Sequence, residues 1–216
     1  MEGAERSLRG RIFAAGYDRM GAGVEMAGLG AHRVALLAGA AGRVLEIGAG
    51  TGRNLKYYGD AVASLTVSEP EPEPEPAMAR RLVRRIGEQP SRVELVLAPC
   101  EELPFAEGSF DVVVSTLVLC TVEDQAKALA EICGVLEPGG ELLFIEHVRS
   151  DRPKLARWQN RLNGVNRLVA QGCNCNRDTV EAIRAAGFTI EKLDRDELKN
   201  VPPTVRPLVI GGARRG

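Results

Sequence analysis

The sequence predicts an α/β fold, a mostly parallel sheet with helices on both faces. Three observations carry this reading. From residue 43 onward, short apolar runs alternate with helical patterns. The runs are continuous, as in Val44-Leu45 and Val112-Val113-Val114, which suits strands buried on both faces. The first run, Val44-Leu45-Glu46-Ile47, ends in Gly48-Ala49-Gly50-Thr51-Gly52, a turn that lets a strand enter a helix sharply.

Taken in order, residues 1–42 read as a helical N-terminal arm. Phe13, Tyr17 and Met20 share one helix face, and Val34, Leu36 and Leu37 mark a second helix ending near Gly39 or Gly42. Such an arm serves equally as a packing element or as a lid. Strands are expected at 44–47, 62–68, 93–97, 110–116 and 141–147, with helices at 52–58, 77–88 and 123–136 between them. A helix over 154–170 places Leu155, Trp158, Leu162 and Val165 at helical spacing, with Trp158 in the core. Another helix over 177–186 stops at Gly187, and two strands follow, Phe188 to Leu193 and Val205 to Ile210. The repeat from Glu69 to Pro76 alternates Glu and Pro. Proline excludes helix there, so the repeat is read as an extended, solvated loop.

Composition narrows the function. A chain of 216 residues fits one domain. Lys plus Arg is 28 against 29 for Asp plus Glu, which argues against a nucleic-acid partner. Aromatics at 4% argue against a base-stacking surface. No run approaches the roughly 18 apolar residues of a membrane span, so no integral membrane segment is expected. Glu2, Glu5, Arg6 and Arg9 stand where a secretory leader would be apolar. Five cysteines, an odd number, make no disulfide framework, and a cytoplasmic location follows. Cys120 and Cys133 read as small core residues. Cys173-x-Cys175 has no histidine pair at matching spacing, so no metal is expected. That loop, with Gly172, is read as part of a substrate pocket.

The chemistry gathers at the glycine turn. Its spacing is G-x-G-x-G, unlike the G-x-G-x-x-G of dinucleotide sites. Glu46 lies within the strand two positions before the first glycine. A carboxylate there disfavours a phosphate and favours a ligand with an ammonium group. Glu69 ends the second strand 19 residues after Gly50, where an acid holds a ribose diol. Glu71 takes that place if the strand runs two residues longer.

With these residues in view, the chain resembles the class I S-adenosylmethionine-dependent methyltransferases, a Rossmann-like fold. Glu46-x-Gly48-x-Gly50-x-Gly52 matches that family's first motif. Ala98-Pro99-Cys100-Glu101-Glu102-Leu103-Pro104-Phe105, then Gly108-Ser109-Phe110-Asp111, resembles the adenine-side loop and the start of the fourth strand. Leu136-Glu137-Pro138-Gly139-Gly140 resembles the turn before the fifth. Pro99 departs from the pattern, since many members carry an adenine-binding Asp there.

A narrower resemblance is to the methyltransferase-like thiol methyltransferases, within the methyltransferase type 11 and ubiquinone/menaquinone-biosynthesis-like group. It rests on Thr116 to Gln125, Glu146-His147-Val148, Gln171 to Asn174 with Arg177, and Val205-Arg206-Pro207. The animal members carry an N-terminal membrane-associating segment; none is expected in this sequence, and membrane attachment is not implied by the resemblance.

The resemblance implies a seven-stranded sheet of five parallel strands and a C-terminal pair, one of them antiparallel. It divides residues 1–216, one methyltransferase domain, into the arm (1–42), a cofactor-binding core (43–148), and substrate-side helices with C-terminal strands (149–216). It implies S-adenosylmethionine as cofactor, with contacts from Glu46, Gly48, Ala49, Gly50, Gly52, Asn54, Glu69, Cys100, Glu101 and Leu117. The expected reaction is methylation of a small-molecule acceptor, a thiol or another lipophilic nucleophile. The alternatives are a quinone or phospholipid acceptor, or a binder of S-adenosylmethionine or S-adenosylhomocysteine without turnover. His147 follows the fifth strand, where substrate-facing residues of open α/β sheets lie, and is the candidate base or orienting residue.

Overall fold

The computed structural model describes residue 23 and residues 25–70, 76–89, 93–169 and 172–216. The helix expected around Phe13, Tyr17 and Met20, and Glu71 of the Glu-Pro repeat, lie outside the described residues.

One sheet of seven strands organises the chain. It comprises β1 (Gly42–Ile47), β2 (Val62–Glu69), β3 (Val93–Leu97), β4 (Phe110–Thr116), β5 (Leu136–His147), β6 (Phe188–Glu197) and β7 (Pro207–Arg215). The strand order is β3-β2-β1-β4-β5-β7-β6. β1 to β5 run parallel, while β7 pairs antiparallel with both β5 and β6. The expected architecture is therefore observed, with β7 as the reversed strand. The order turns back between β1 and β4, and a crevice opens at such a switch point beyond the carboxyl ends of the strands.

Helices α1 (Gly30–Leu37), α2 (Pro76–Gly87), α3 (Gln125–Val135), α4 (Pro153–Val169) and α5 (Thr179–Ala185) accompany the sheet. Adjacent residues of β1 point to opposite faces. Leu45 and Ile47 pack with Leu129 and Ile132 of α3 and Ile183 of α5. Val44 packs with Leu37 of α1 and Leu82 of α2. Each fully buried side chain of this kind contributes about 1.5–3 kcal/mol. Asp124 starts α3 by accepting the Ala126 and Lys127 N–H groups, both at 3.0 Å. Asp178 does the same for α5 through Glu181 N–H at 3.2 Å.

Three expectations are corrected. The helix over 52–58 is a single 3-10 turn, Leu55–Tyr57. Its flanking residues Asn54 and Tyr58 turn inward to a buried carboxylate, which ends the helical course. The last strand begins at Pro207 and runs to Arg215, after a 3-10 turn at Pro203–Val205. Trp158 is not in the core: it is 56% exposed. No helix among the described residues is long and apolar enough to cross a membrane.

Candidate active site

The glycine turn leaves β1 at the carboxyl edge of the sheet. Gly48 and Gly50 adopt φ of +57° and +59°, a region costly for residues with a Cβ. The turn is closed by Gly52 N–H donating to the Ala49 carbonyl at 2.8 Å and tied to β2 by Ala49 N–H donating to Ser68 at 3.1 Å. The two glycines serve different ends. A Cβ on Gly48 would come 2.6 Å from Cγ2 of Val118, so the turn is packed against the loop after β4. Among the described residues, a Cβ on Gly50 would meet nothing closer than Cε of Met78 at 3.9 Å. No described side chain crowds Gly50, so a ligand can approach its backbone.

Two carboxylates flank this turn. Glu69, the last residue of β2, accepts the Gly50 N–H on Oε2 at 2.7 Å. Its burial pushes its pKa up, against the pull of that hydrogen bond. Glu46 lies beneath the turn, 3% exposed. Its Oε2 accepts the Tyr58 hydroxyl at 2.7 Å and its Oε1 accepts Asn54 Nδ2 at 3.2 Å. Burial pushes the Glu46 carboxyl up to about 7, opposed by the Tyr58 hydrogen bond and the Arg33 charge. Arg33, itself buried, donates to Asn54 Oδ1 and, through Nε, to Glu25 at 3.0 Å. Asn54 also donates to Thr116 Oγ1 at 3.1 Å, so it bridges β1 to the end of β4.

The loop after β4 is held by a residue whose role spacing alone did not reveal. Glu146 is fully buried on β5. Its carboxylate accepts Ser115 Oγ at 2.7 Å and the backbone N–H groups of Val118, Leu119 and Cys120, each at 3.0 Å. Burial raises its pKa while these four donors lower it. The loop they fix includes Leu117, held at φ +60°. Arg33 and Tyr58 likewise escaped sequence reading, since neither belongs to a spaced motif.

The predicted residues fall into three groups. Glu46, Gly48, Ala49, Gly50, Gly52, Asn54, Glu69 and Leu117 meet at the carboxyl ends of β1, β2 and β4. Cys100 and Glu101 follow β3, next to Ala98, whose N–H donates to the Glu69 carbonyl at 2.9 Å. Glu101 Oε1 accepts the Glu123 N–H at 3.0 Å, and burial pushes the Cys100 thiol pKa up. His147 ends β5, with β4 between it and β1. Burial pulls its pKa down to about 4, opposed by a hydrogen bond to the Pro207 carbonyl. Its Nδ1 is buried with no hydrogen-bond partner among the described residues. Beyond it, Cys173 Sγ lies 3.5 Å from Cys120 Sγ and 3.4 Å from Cys175 Sγ, all three as free, buried thiols.

The family described as "Methyltransferase domain" matches residues 45–144. The chain is 36% identical to human thiol S-methyltransferase TMT1A over 180 residues, 82% of this chain and 72% of that protein. The chain belongs to the class I S-adenosylmethionine-dependent methyltransferases. Human thiol S-methyltransferase TMT1B is 35% identical over 81% of this chain and 70% of its own length. Among solved structures, the N-methyltransferase NodS from Bradyrhizobium japonicum WM9, in complex with S-adenosyl-L-homocysteine, superposes with a TM-score of 0.61. It is 21% identical, and the match covers 85% of this chain and 82% of that one. The methyl donor of this methyltransferase is S-adenosylmethionine. The residues present fit that donor: a Gly50 backbone that no described side chain crowds, a buried acid at Glu46 and an acid at the end of β2.

Proposed function

We propose that this methyltransferase methylates a small lipophilic thiol. The supporting observation is its 36% identity to a thiol S-methyltransferase across 82% of the chain. S-adenosylmethionine supplies a methyl group on a cationic sulfur together with its own leaving group, so the protein's task is placement.

In this reading Glu46, with Asn54 and Tyr58 fixing its oxygens, faces the ammonium end of the donor. Gly48, Ala49, Gly50 and Gly52 give it backbone, and Glu69 accepts from the ribose hydroxyls. Leu117, Cys100 and Glu101 line the adenine side. Cys100 and Glu101 stand in for the missing acid at Pro99, through the Cys100 backbone or the Glu101 side chain. A thiol reacts as thiolate, and a pKa near 8.5 leaves only a few per cent ionised at neutral pH. His147 is a poor base with its pKa near 4. Its Nδ1, which has no partner among the described residues, suits it to orient the acceptor through a hydrogen bond. The working compartment in this reading is the cytoplasm.

The test is product analysis with S-adenosylmethionine and a panel of alkyl thiols, quinols and amine lipids. Formation of a methyl thioether from a thiol is the expected result. Turnover confined to a quinol or a lipid amine overturns the thiol reading. Micromolar donor binding with no turnover across the panel favours the non-catalytic alternative.

A further inference from the structure

Helix α4 buries polar as well as apolar side chains. On its inner face, beside buried Ala156 and half-buried Leu155 and Leu162, Gln159 is fully buried, and its Nε2 lies 2.8–3.0 Å from the carbonyls of Val148, Cys175 and Thr204. Gln159 Oε1 accepts the Ser150 N–H at 2.8 Å, and Asn163 donates to Asn174 Oδ1 at 2.9 Å. These bonds fasten the helix to the carboxyl edge of the sheet, just after His147.

The outer face carries three large apolar residues of its own. Trp158, Val165 and Leu168 are 56%, 59% and 86% exposed. At 100° per residue they share that face with Lys154 and Arg161. The helix holds four basic residues, Lys154, Arg157, Arg161 and Arg167, and no acidic one. At its N-terminal end a groove of about 670 Å³ is lined by Arg152, Lys154, Arg157 and Arg206, with Leu155 and Pro203 beneath. Arg152 pairs with Glu197 and Arg206 donates to the Val201 carbonyl at 2.8 Å, so both are held in place.

Exposed tryptophan and leucine interleaved with cations that have no acidic partner among the described residues are the composition of a helix lying in a lipid–water interface. We infer that α4 docks this methyltransferase on an anionic lipid surface, with Trp158, Val165 and Leu168 entering the acyl boundary and the basic groove receiving headgroup phosphates. Charge complementarity selects the occupant, since an apolar protein partner would leave four cations unmatched. Such docking sets the carboxyl edge of the sheet beside a phase in which lipophilic acceptors dissolve. The inference does not depend on the acceptor's identity.

Trp158 is the chain's single tryptophan, so its fluorescence reports the docking directly. The full chain is titrated with phosphatidylcholine vesicles and with vesicles containing phosphatidylglycerol. A blue shift with the anionic vesicles, weakened by salt and absent with the neutral ones, is expected. Arg161→Glu and Leu168→Ser should each lower partitioning about tenfold. Neither residue belongs to the catalytic machinery. Turnover of a water-soluble acceptor, or donor affinity if none turns over, and the unfolding midpoint should stay unchanged. No shift with either vesicle, or an equal shift with both, overturns the inference. So does a shift that grows with protein concentration without lipid, which would mark contact between copies of the chain.

Discussion

Glu146 and Val118 are joined by a 3.0 Å hydrogen bond from the Val118 N–H to the buried carboxylate, and the Val118 side chain fills the space over Gly48. One acid on β5 thereby sets the position of the glycine turn after β1, across β4. Glu146→Ala would leave three backbone N–H groups and the Ser115 hydroxyl unpaired in the interior. The expected cost is about 3–5 kcal/mol in urea unfolding. Glu146→Gln keeps an acceptor for three of the four donors and should cost less. An alanine variant as stable as the parent would show that the loop does not depend on Glu146.

Gly48 and Gly50 should respond differently to alanine. Both pay the left-handed backbone penalty of about 1–2 kcal/mol. Gly48→Ala also drives a Cβ into Val118 and should lose about 2–4 kcal/mol in all. Val118→Ala in the same chain should return part of that loss. Gly50→Ala makes only ordinary contact, with Met78 at 3.9 Å among the described residues, so beyond the backbone penalty its effect falls on donor affinity more than on folding. Unfolding and calorimetry on the three variants separate the two. Equal destabilisation at Gly48 and Gly50 would contradict the packing argument.

Glu69→Ala should weaken S-adenosylmethionine by about tenfold to a hundredfold, the loss of one or two charge-assisted hydrogen bonds. Its second task, accepting the Gly50 N–H, means that part of the loss comes from a loosened turn. Glu69→Gln keeps an acceptor for that N–H and should lie between alanine and the parent. Full affinity in Glu69→Ala, with the loss appearing instead in Glu71→Ala, would shift the ribose contact two residues along the chain.

Much of this arrangement was legible in residue order. Glycine turns, strand-ending acids and apolar runs are local signals, so β1 to β4, the second half of β5 and the positions of Glu46, Gly50 and Glu69 at the first two strand ends follow from spacing, whereas β5 itself starts at Leu136, inside the segment expected as a turn. The misses share a different cause. Leu155, Trp158, Leu162 and Val165 form a proper helical stripe, but Leu155 and Leu162 are half-buried while Trp158 and Val165 are exposed, and periodicity does not say which edge turns inward. Here Gln159 decides it, by binding carbonyls from three distant segments. Residues 52–58 carry a helical pattern, yet Asn54 and Tyr58 are recruited to Glu46 and only one turn forms. Glu146 and Arg33 act through contacts far apart in sequence, which no local pattern encodes.

The Glu46 carboxyl, raised from 4.5 to about 7 by burial, makes stability depend on pH with a definite sign. The native chain binds a proton that the unfolded chain has released throughout this interval. Stability at this site is therefore full below about pH 4.5 and falls as pH rises to about 7, by about 3 kcal/mol. Glu46→Gln removes the titration and gives up the acceptor for Asn54. At pH 5 the two proteins should be about equally stable, because the parent has by then lost about 1 kcal/mol of its proton-linked stability, which nearly offsets the hydrogen bond of similar worth that the variant lacks. At pH 8 it should be the more stable of the two, since the parent then holds a buried charge. The donor's ammonium group favours the ionised carboxylate, so donor affinity in the parent should fall as pH drops below 7, while the variant binds weakly at every pH. Unfolding free energies and calorimetric titrations at pH 5, 6, 7 and 8 supply both curves. Parallel stability curves for the two proteins would place the Glu46 pKa near its ordinary value and remove the basis for the pH-dependent affinity.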